Sequence, residues 1–235
     1  MHQIRILEVS FDLVLQPYQL TKFRGAIANK AGLEHEMFHN HDNKKGGTIN
    51  RYPLIQYKLD THNGQMRPML LCLEKGIEES HHFFSQSDLS IFLDGKTHSL
   101  RISRMNVNKH FLKVDKHTST YRLHKWQALN TDSYREYREI EDSQKKVEFL
   151  EKRLMNHIIS FLSGVDCRLE NKFELKIVNV REPQWIGYKK IKILAFTVDF
   201  EANISLPNFI GLGKGSSLGL GVLRMCPKEE VLPKQ

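Results

Sequence analysis

Asn208-Phe209-Ile210-Gly211-Leu212-Gly213-Lys214-Gly215-Ser216-Ser217-Leu218-Gly219-Leu220-Gly221-Val222-Leu223 is the stretch around which the rest of the chain is read. Five glycines fall within the eleven residues 211–221. At its two ends glycine alternates with leucine or isoleucine, a pattern that extended backbone can carry. Its centre, Gly213-Lys214-Gly215, is neither ordinary helix nor ordinary strand, because clustered glycine loses backbone entropy and adds no packing. Glycine also lets a backbone approach another polymer closely. Lys214 brings a positive charge, and Ser216 and Ser217 bring hydroxyl donors, so the composition suits phosphate contact. A flexible turn between two strands is the alternative, and the hydrophobic flanks weigh against it.

Two nucleotide-binding motifs are excluded. The phosphate loop of nucleotide hydrolases needs Gly-x4-Gly-Lys followed by Ser or Thr, with a helix after it. Gly213-Lys214 is followed by Gly215, and the residues left after it are too few for a long helix. A dinucleotide fingerprint opens a βαβ unit, which has no room here either. The loop therefore reads as a contact for a polyanion.

The 235-residue chain carries 35 Lys and Arg against 27 Asp and Glu, a net charge of +8 with its 12 His neutral. This balance permits nucleic acid or an anionic surface as partner. At 40% hydrophobic residues there is enough apolar material for one large core or two smaller ones. Cys72, Cys167 and Cys226 are far apart and form no Cys-x-x-Cys pair, as expected for reduced thiols in the cytoplasm. No apolar signal core opens the chain and no window reaches transmembrane length, so no membrane partner is expected.

In the first half, residues 2–15 read as a strand whose apolar parity changes near Leu7-Glu8, which predicts a bulge. Leu20, Phe23, Ile27 and Ala31 fall at helical spacing and predict a helix over 18–31. Strands are expected at 52–59, 69–73 and 89–93, with a turn at Asn63-Gly64, a helix over 76–84 and a turn at Asp94-Gly95. That order, β-α-β-β-α-β, is the ferredoxin-like pattern.

Between the first helix and the second strand lies Glu34-His35-Glu36-Met37-Phe38-His39-Asn40-His41-Asp42-Asn43-Lys44-Lys45-Gly46-Gly47. Three histidines in seven residues, followed by two lysines, mark it as the candidate site. His39, His41 and Asp42 are possible metal ligands, but the spacing matches no defined metal motif. Acid–base chemistry fits better: imidazole titrates near neutrality and a neighbouring ammonium can hold a phosphate. A loop with incidental histidines is the other reading.

From Arg101 to Lys125 the chain alternates as hairpins would, with seven basic residues against Asp115 alone. This window is either a solvated β-face or a surface for an RNA backbone. Trp126 reads as core. Residues 132–152, dense in both charges, read as helix, and Val147, Leu150, Leu154, Ile158 and Phe161 form one apolar stripe ending near Gly164. A strand over 172–180 changes parity at Asn179, an aromatic and basic connection follows at 181–190, and 191–200 read as a strand covered on both faces. The expectation is an α+β chain of two tandem ferredoxin-like (RRM-like) domains with antiparallel sheets, at residues 1–130 and 131–235.

Gly211-x-Gly213-x5-Gly219-x-Gly221 resembles the C-terminal glycine-rich signature of the repeat-associated mystery proteins of CRISPR systems. Its place, together with a histidine in the loop after the first helix, resembles in particular the endoribonuclease family that processes precursor CRISPR RNA. The resemblance covers nearly the whole chain and implies cofactor- and metal-independent cleavage at one position in each repeat. Attack by a ribose 2′-hydroxyl on the adjacent phosphorus would leave a 2′,3′-cyclic phosphate and a 5′-hydroxyl. It further implies His41 as general base or acid with His39 as its competitor, and Lys45 as electrostatic stabiliser ahead of Lys44 and Lys58. The family often recruits a Tyr from the first helix, where this chain offers only Tyr18 at its start. Lys214, Ser216 and Ser217 are then expected to touch RNA, with Gly211, Gly213, Gly215, Gly219 and Gly221 shaping that contact. Arg101, Lys113 and Arg122 are expected on the RNA backbone. The partner is CRISPR repeat RNA, with effector-complex subunits and a second copy of the chain as open possibilities. The alternative is a subunit that binds mature CRISPR RNA without cutting it.

Overall fold

The structure is a computed structural model. It describes residues 2–32, 34–39, 41–42, 47–48, 51–188 and 191–227, with only the backbone at 41, 42, 47, 48 and 188. Its contacts divide the chain into two units, 3–110 with 217–219, and 111–216 with 220 onward and the first two residues. The division falls earlier than residue 130, because the long strand from Val114 to Trp126 is an inner strand of the second unit's sheet.

The N-terminal unit runs β1 (His2–Phe11), α1 (Leu20–Ala31), β2 (His41–Asp42), β3 (Gly47–Thr48), β4 (Ile55–His62), β5 (Gln65–Leu73), α2 (Lys75–Phe84), β6 (Ser90–Leu93), β7 (Lys96–Ser99) and β8 (Ile102–Leu112). The sheet order is β4-β5-β1-β8, with antiparallel β4·β5 and β5·β1 ladders. Leu20, Phe23, Ile27 and Ala31 of α1 are all buried, as their spacing requires, against Val9 and Phe11 of β1, Ile55 and Tyr57 of β4, and Phe83 of α2. Phe11, Phe23 and Tyr57 meet edge to face, with ring centroids 5.8 and 6.3 Å apart. Asn63-Gly64 and Asp94-Gly95 both take positive φ at two successive residues, the backbone that tight two-residue hairpins demand.

Three expectations need correction in this unit. The parity change in β1 is not a bulge against β5, since pairing runs unbroken from Ile6 opposite Leu73 to Ser10 opposite Met69. Instead Ile4 and Ile6 are buried on one face, and Leu7, Val9 and Phe11 on the other. Residues 90–93 pair only with β7, as a separate hairpin, and the outer position of the main sheet goes to β8. Nor do 101–125 form hairpins: β8 and β9 (Val114–Trp126) belong to different sheets.

In the C-terminal unit β9 is followed by α3 (Thr131–Glu139), α4 (Ser143–Gly164), β10 (Leu175–Val180), β11 (Gln184–Tyr188), β12 (Ile191–Ile204) and β13 (Val222–Met225). The order is β10-β12-β9-β13, with β11 paired to the start of β12. The charged helical segment is two helices, because the Asp142 side chain caps a new start by accepting the Lys145 amide at 2.7 Å. Leu150, Leu154, Ile158 and Phe161 bury the stripe of α4. The parity change in β10 is a true bulge: Ile177 faces Phe200 and Asn179 faces Asp199, leaving Val178 over. The connection at 184–188 is a strand rather than a loop, pairing Trp185 with Leu194. Among the described residues Cys72, Cys167 and Cys226 form no disulfide with one another. Among the described residues no helix is long and apolar enough to cross a membrane.

Candidate functional site

In the N-terminal unit the histidine segment hangs from a fixed point. α1 ends at Gly32, whose φ of +111° puts it in a region that favours glycine; a β-carbon there would meet the Glu34 carboxylate at 2.6 Å. A single turn, Glu36–Phe38, follows and carries Phe38 into the core. The Tyr57 hydroxyl donates to the Phe38 carbonyl at 3.0 Å. Burial pushes the Tyr57 hydroxyl well above its ordinary pKa, so it stays protonated and keeps donating. His39 comes next, half-buried, with its amide on the Glu36 carbonyl at 3.2 Å. His41 starts β2 and pairs with Thr48 of β3. The two histidines therefore lie on different local structure, a turn and a strand. The side chains of His41 and Asp42, and Lys44 and Lys45 entirely, fall outside the described residues. Tyr18 is exposed, in the turn before α1.

Lys58 lies on β4 beside Tyr57, on the opposite face of the sheet, because side chains alternate along a strand. It is only 1% exposed, and burial pulls its ammonium down to a pKa of about 7. At that burial the ammonium is enclosed by the fold rather than presented to a ligand.

In the glycine loop the alternating apolar residues are core: Ile210, Leu212, Leu218, Leu220 and Leu223 are all buried. The arms pair with each other, Phe209 amide to Leu223 carbonyl at 2.8 Å and Leu212 amide to Gly221 carbonyl at 2.8 Å. The Lys214 amide donates to Gln127, the Leu220 amide to Gly215 and the Gly221 amide to Lys125. These amides are used inside the fold and are not offered outward. Gly213, Gly215, Gly219 and Gly221 all have positive φ; Gly211 does not, and forms a bridge with Val222. Lys214 is exposed, whereas Ser216 is 5% exposed. Ser217, half-buried, belongs with Leu218 and Gly219 to the N-terminal unit, where its carbonyl accepts the Tyr57 amide at 2.9 Å.

The three expected basic contacts separate. Arg101 is exposed, with its carbonyl holding the Asp12 amide at 2.8 Å. Lys113 pairs with Asp115 at 2.7 Å. Arg122 lies on the C-terminal sheet in a row the sequence does not reveal: Asn179, Asp199, Arg122 and Arg224 stand opposite one another on β10, β12, β9 and β13. Arg122 donates to both Asp199 oxygens, at 2.6 and 3.2 Å, and Arg181 approaches the same carboxylate at 3.8 Å. Burial alone would raise the Asp199 pKa, but hydrogen bonds from Arg122 and Asn179 and the two Arg charges outweigh it and hold it low. Burial, and then Arg122, Arg224 and Arg181, keep His124 below the usual histidine range. Two arginines on the Asp199 carboxylate, with Arg224 opposite Arg122 on the next strand, leave this row net positive. Arg181 and Arg224 were missed because only strand register brings them to Arg122.

Trp126 is buried, and its indole N–H donates to Nδ1 of His157 on α4 at 3.0 Å. Gly213 makes room for the indole, since a β-carbon there would meet Nε1 at 2.7 Å. Burial, with help from Arg153 and Lys214, lowers the His157 pKa to about 4. Between pH 6.5 and about 4 the unfolded chain binds a proton at residue 157 that the folded chain refuses. Stability is therefore complete above pH 6.5 and falls as pH drops through this window, by about 3 kcal/mol in total. Urea unfolding from pH 7.5 to 4 should show this slope, and His157→Gln, which keeps an acceptor for the indole, should flatten it. An equal slope in both proteins would place the acid sensitivity elsewhere.

Two family models divide the chain between them: the Cas6b N-terminal domain matches residues 2–111 and the Cas6b C-terminal domain residues 113–226. The chain belongs to the Cas6b family. Their meeting point coincides with the division seen in the contacts. Among solved structures, one described as a crystal structure of Cas6b shares 21% identity with a TM-score of 0.81, over 96% of this chain and 100% of that one. The crystal structure of a CRISPR RNA processing endoribonuclease Cas6b gives 19% and 0.69, with the same coverage. Csf5, a type IV CRISPR-Cas crRNA endonuclease, gives 11% and 0.59, again over 96% and 100%. At these identities the likeness is one of fold. An uncharacterised protein of Methanocaldococcus jannaschii is 35% identical over 96 residues, 41% of this chain and 64% of that protein. The chain thus spans less than two thirds of that relative's length.

Proposed function

We propose that this Cas6b-family protein is an endoribonuclease that cuts precursor CRISPR RNA once in each repeat without a metal ion. The observation that carries the reading is the match of both Cas6b domain models, in order, across residues 2–226. The Cas6b structure titled as a CRISPR RNA processing endoribonuclease supports the same activity. We read both units as ferredoxin-like, since each main sheet runs in the order second, third, first and last strand, with β11 an addition to the C-terminal one.

In this reading the N-terminal unit supplies the chemistry. His41 or His39 removes the 2′-proton, the freed oxygen attacks the adjacent phosphorus, and the 5′-oxygen leaves as it is protonated. The bond formed closes the 2′,3′-cyclic phosphate, and the bond broken leaves a 5′-hydroxyl. Lys45 holds the non-bridging oxygens, ahead of Lys44, and Lys58, enclosed on β4, does not touch the RNA. DNA lacks the nucleophile and is spared. In the C-terminal unit Lys214 is the loop residue suited to phosphate contact, while the glycines and Ser216 build the loop that presents it. Arg122 serves together with Arg181 and Arg224, where Asp199 orients the guanidinium groups of Arg122 and Arg181.

The test is cleavage of end-labelled cognate repeat RNA by the purified protein in excess EDTA. The expected products carry a 2′,3′-cyclic phosphate and a 5′-hydroxyl. A repeat carrying 2′-deoxyribose at the cut site should bind and remain whole. Stoichiometric binding with no cleavage would replace this reading by that of a non-catalytic CRISPR RNA-binding subunit.

A further inference from the structure

We propose that His35, Glu79 and His82 bind one divalent cation of the zinc class, and that this ion ties the segment leading to His39 onto α2. They are the one group of three histidine, cysteine or acidic side chains among the described residues whose ligand atoms all lie within 4.8 Å of one another. His35 stands four residues beyond Ala31, the last of α1, fixed by its amide on the Gly32 carbonyl at 3.1 Å. Glu79 and His82 are three apart on α2, so they project from the same helix face. Ser80 and Phe83, on the adjoining face, are buried and anchor the helix.

The geometry is close to what a metal needs. His35 Nδ1 lies 3.0 Å from Glu79 Oε1, and the rings of His35 and His82 stack with centroids 3.7 Å apart at 25°. Zinc–ligand bonds of about 2.0–2.1 Å in a tetrahedron set neighbouring ligand atoms about 3.3 Å apart. The His35–Glu79 pair already meets that spacing. Stacked rings do not aim their lone pairs at one point, so one must turn, and His82 is exposed and has the room. Two imidazole nitrogens and one carboxylate oxygen form a borderline donor set that suits zinc, whereas calcium and magnesium take oxygen ligands. Two imidazolium ions would repel at this separation; a dication held by two neutral rings and one carboxylate removes that conflict. The His35 and Glu79 side chains are 19% and 23% exposed, which shields the ion partly from water while leaving a fourth position open for it.

The site is distinct in role from the proposed cleavage chemistry, in which no step passes through the ion. Its effect is on order: the ion would cross-link the stretch before Glu36–Phe38 to α2, and so limit the positions His39 can take.

The probe is Zn2+ added to the metal-stripped full chain and followed by competition with a chromophoric chelator, for wild type, His82→Ala and Glu79→Gln. Wild type should bind one equivalent that each variant binds about 10–100-fold more weakly. His82 is exposed, so His82→Ala keeps the fold, which circular dichroism checks. Amide hydrogen exchange at 35–39 should slow on zinc addition in wild type and not in His82→Ala. Equal zinc binding by wild type and His82→Ala, or zinc binding without slower exchange at 35–39, overturns the proposal. Both readouts are independent of RNA cleavage, so failure of the zinc site and failure of the endonuclease reading are separable.

Discussion

His41→Ala lowers the single-turnover rate of repeat cleavage by about 10²–10⁴-fold, the usual contribution of one positioned acid or base, and leaves repeat RNA binding within a few-fold. The division between rate and affinity follows from the proposed role. An imidazole that moves a proton in the transition state contributes little to holding the ground-state RNA. His39→Ala has a different signature. His39 is half-buried and has its own contacts within the protein, and it follows Phe38, which is pinned through the Tyr57 hydroxyl. Its removal therefore lowers thermal stability as well as rate. The pH–rate profile adds a further constraint. An imidazole that must be neutral to act as base gives the profile an acid limb. Lys58 is enclosed on β4 and adds no limb of its own, so Lys58→Met leaves the shape of the profile unchanged. A His41→Ala protein that cleaves within threefold of wild type would remove His41 from the chemistry; if His39→Ala did the same, the acid–base proposal for this segment would fall with it.

The elements with long periodic signals were legible. The α1 and α4 stripes are both buried where their spacing put them, and Asn63-Gly64 turns the chain as its residues require. The bulge at Val178 was visible because one parity ends and the other begins within a single ladder. The same signal in β1 misled, because a strand covered on opposite faces at its two ends gives the same apolar pattern as a bulge. What the sequence could not carry was pairing. Strand β8 reads as half of a hairpin with β9, yet it closes the first sheet while β9 runs inside the second. The Arg122–Asp199–Arg224 row has the same origin: three residues far apart in sequence meet only once register is fixed. The zinc-class trio escaped for a related reason. Its histidine lies in the segment already marked for chemistry, but its partners are on α2, and nothing in their spacing connects the two. For the glycine loop the leucines carried the more reliable information. Glycine suggested amides presented to a polymer, whereas the leucines implied a packed core, and the amides of Leu212, Lys214, Leu220 and Gly221 are taken by that core's own turns.

That packed loop makes Gly221→Ala the substitution with the largest expected effect on stability. Gly221 has φ of +59°, and a β-carbon there would overlap the Leu212 carbonyl oxygen and come within 3.0 Å of the carbonyl carbon and 3.2 Å of the nitrogen. The obstacle is backbone, and that backbone is held by the Leu212 amide on the Gly221 carbonyl and the Gly221 amide on the Lys125 carbonyl. Neither side can yield without breaking the ladder between the two arms. Left-handed strain and the steric clash together are expected to cost about 3 kcal/mol or more, which for a chain of this size lowers Tm by about 6–12 °C. Other glycines separate the contributions. Gly64 also has positive φ but open space around it, so Gly64→Ala shows strain alone, about 1 kcal/mol. At Gly219 the added carbon meets the flexible end of Leu20 at 2.9 Å, so Gly219→Ala falls between the two. Gly25, inside α1 with nothing within 4 Å, should gain about 0.5–1 kcal/mol as Ala. Thermal unfolding of the four variants should therefore run Gly25→Ala above wild type, then Gly64→Ala, Gly219→Ala and Gly221→Ala in falling order. Repeat RNA affinity, measured well below each transition, distinguishes scaffold from contact. If Gly221 only shapes the loop that presents Lys214, a folded Gly221→Ala protein binds RNA less tightly in proportion to the loop's distortion, and Lys214→Glu weakens binding with no loss of Tm. A Gly221→Ala protein as stable as wild type would mean that the two arms of the loop are not paired as described.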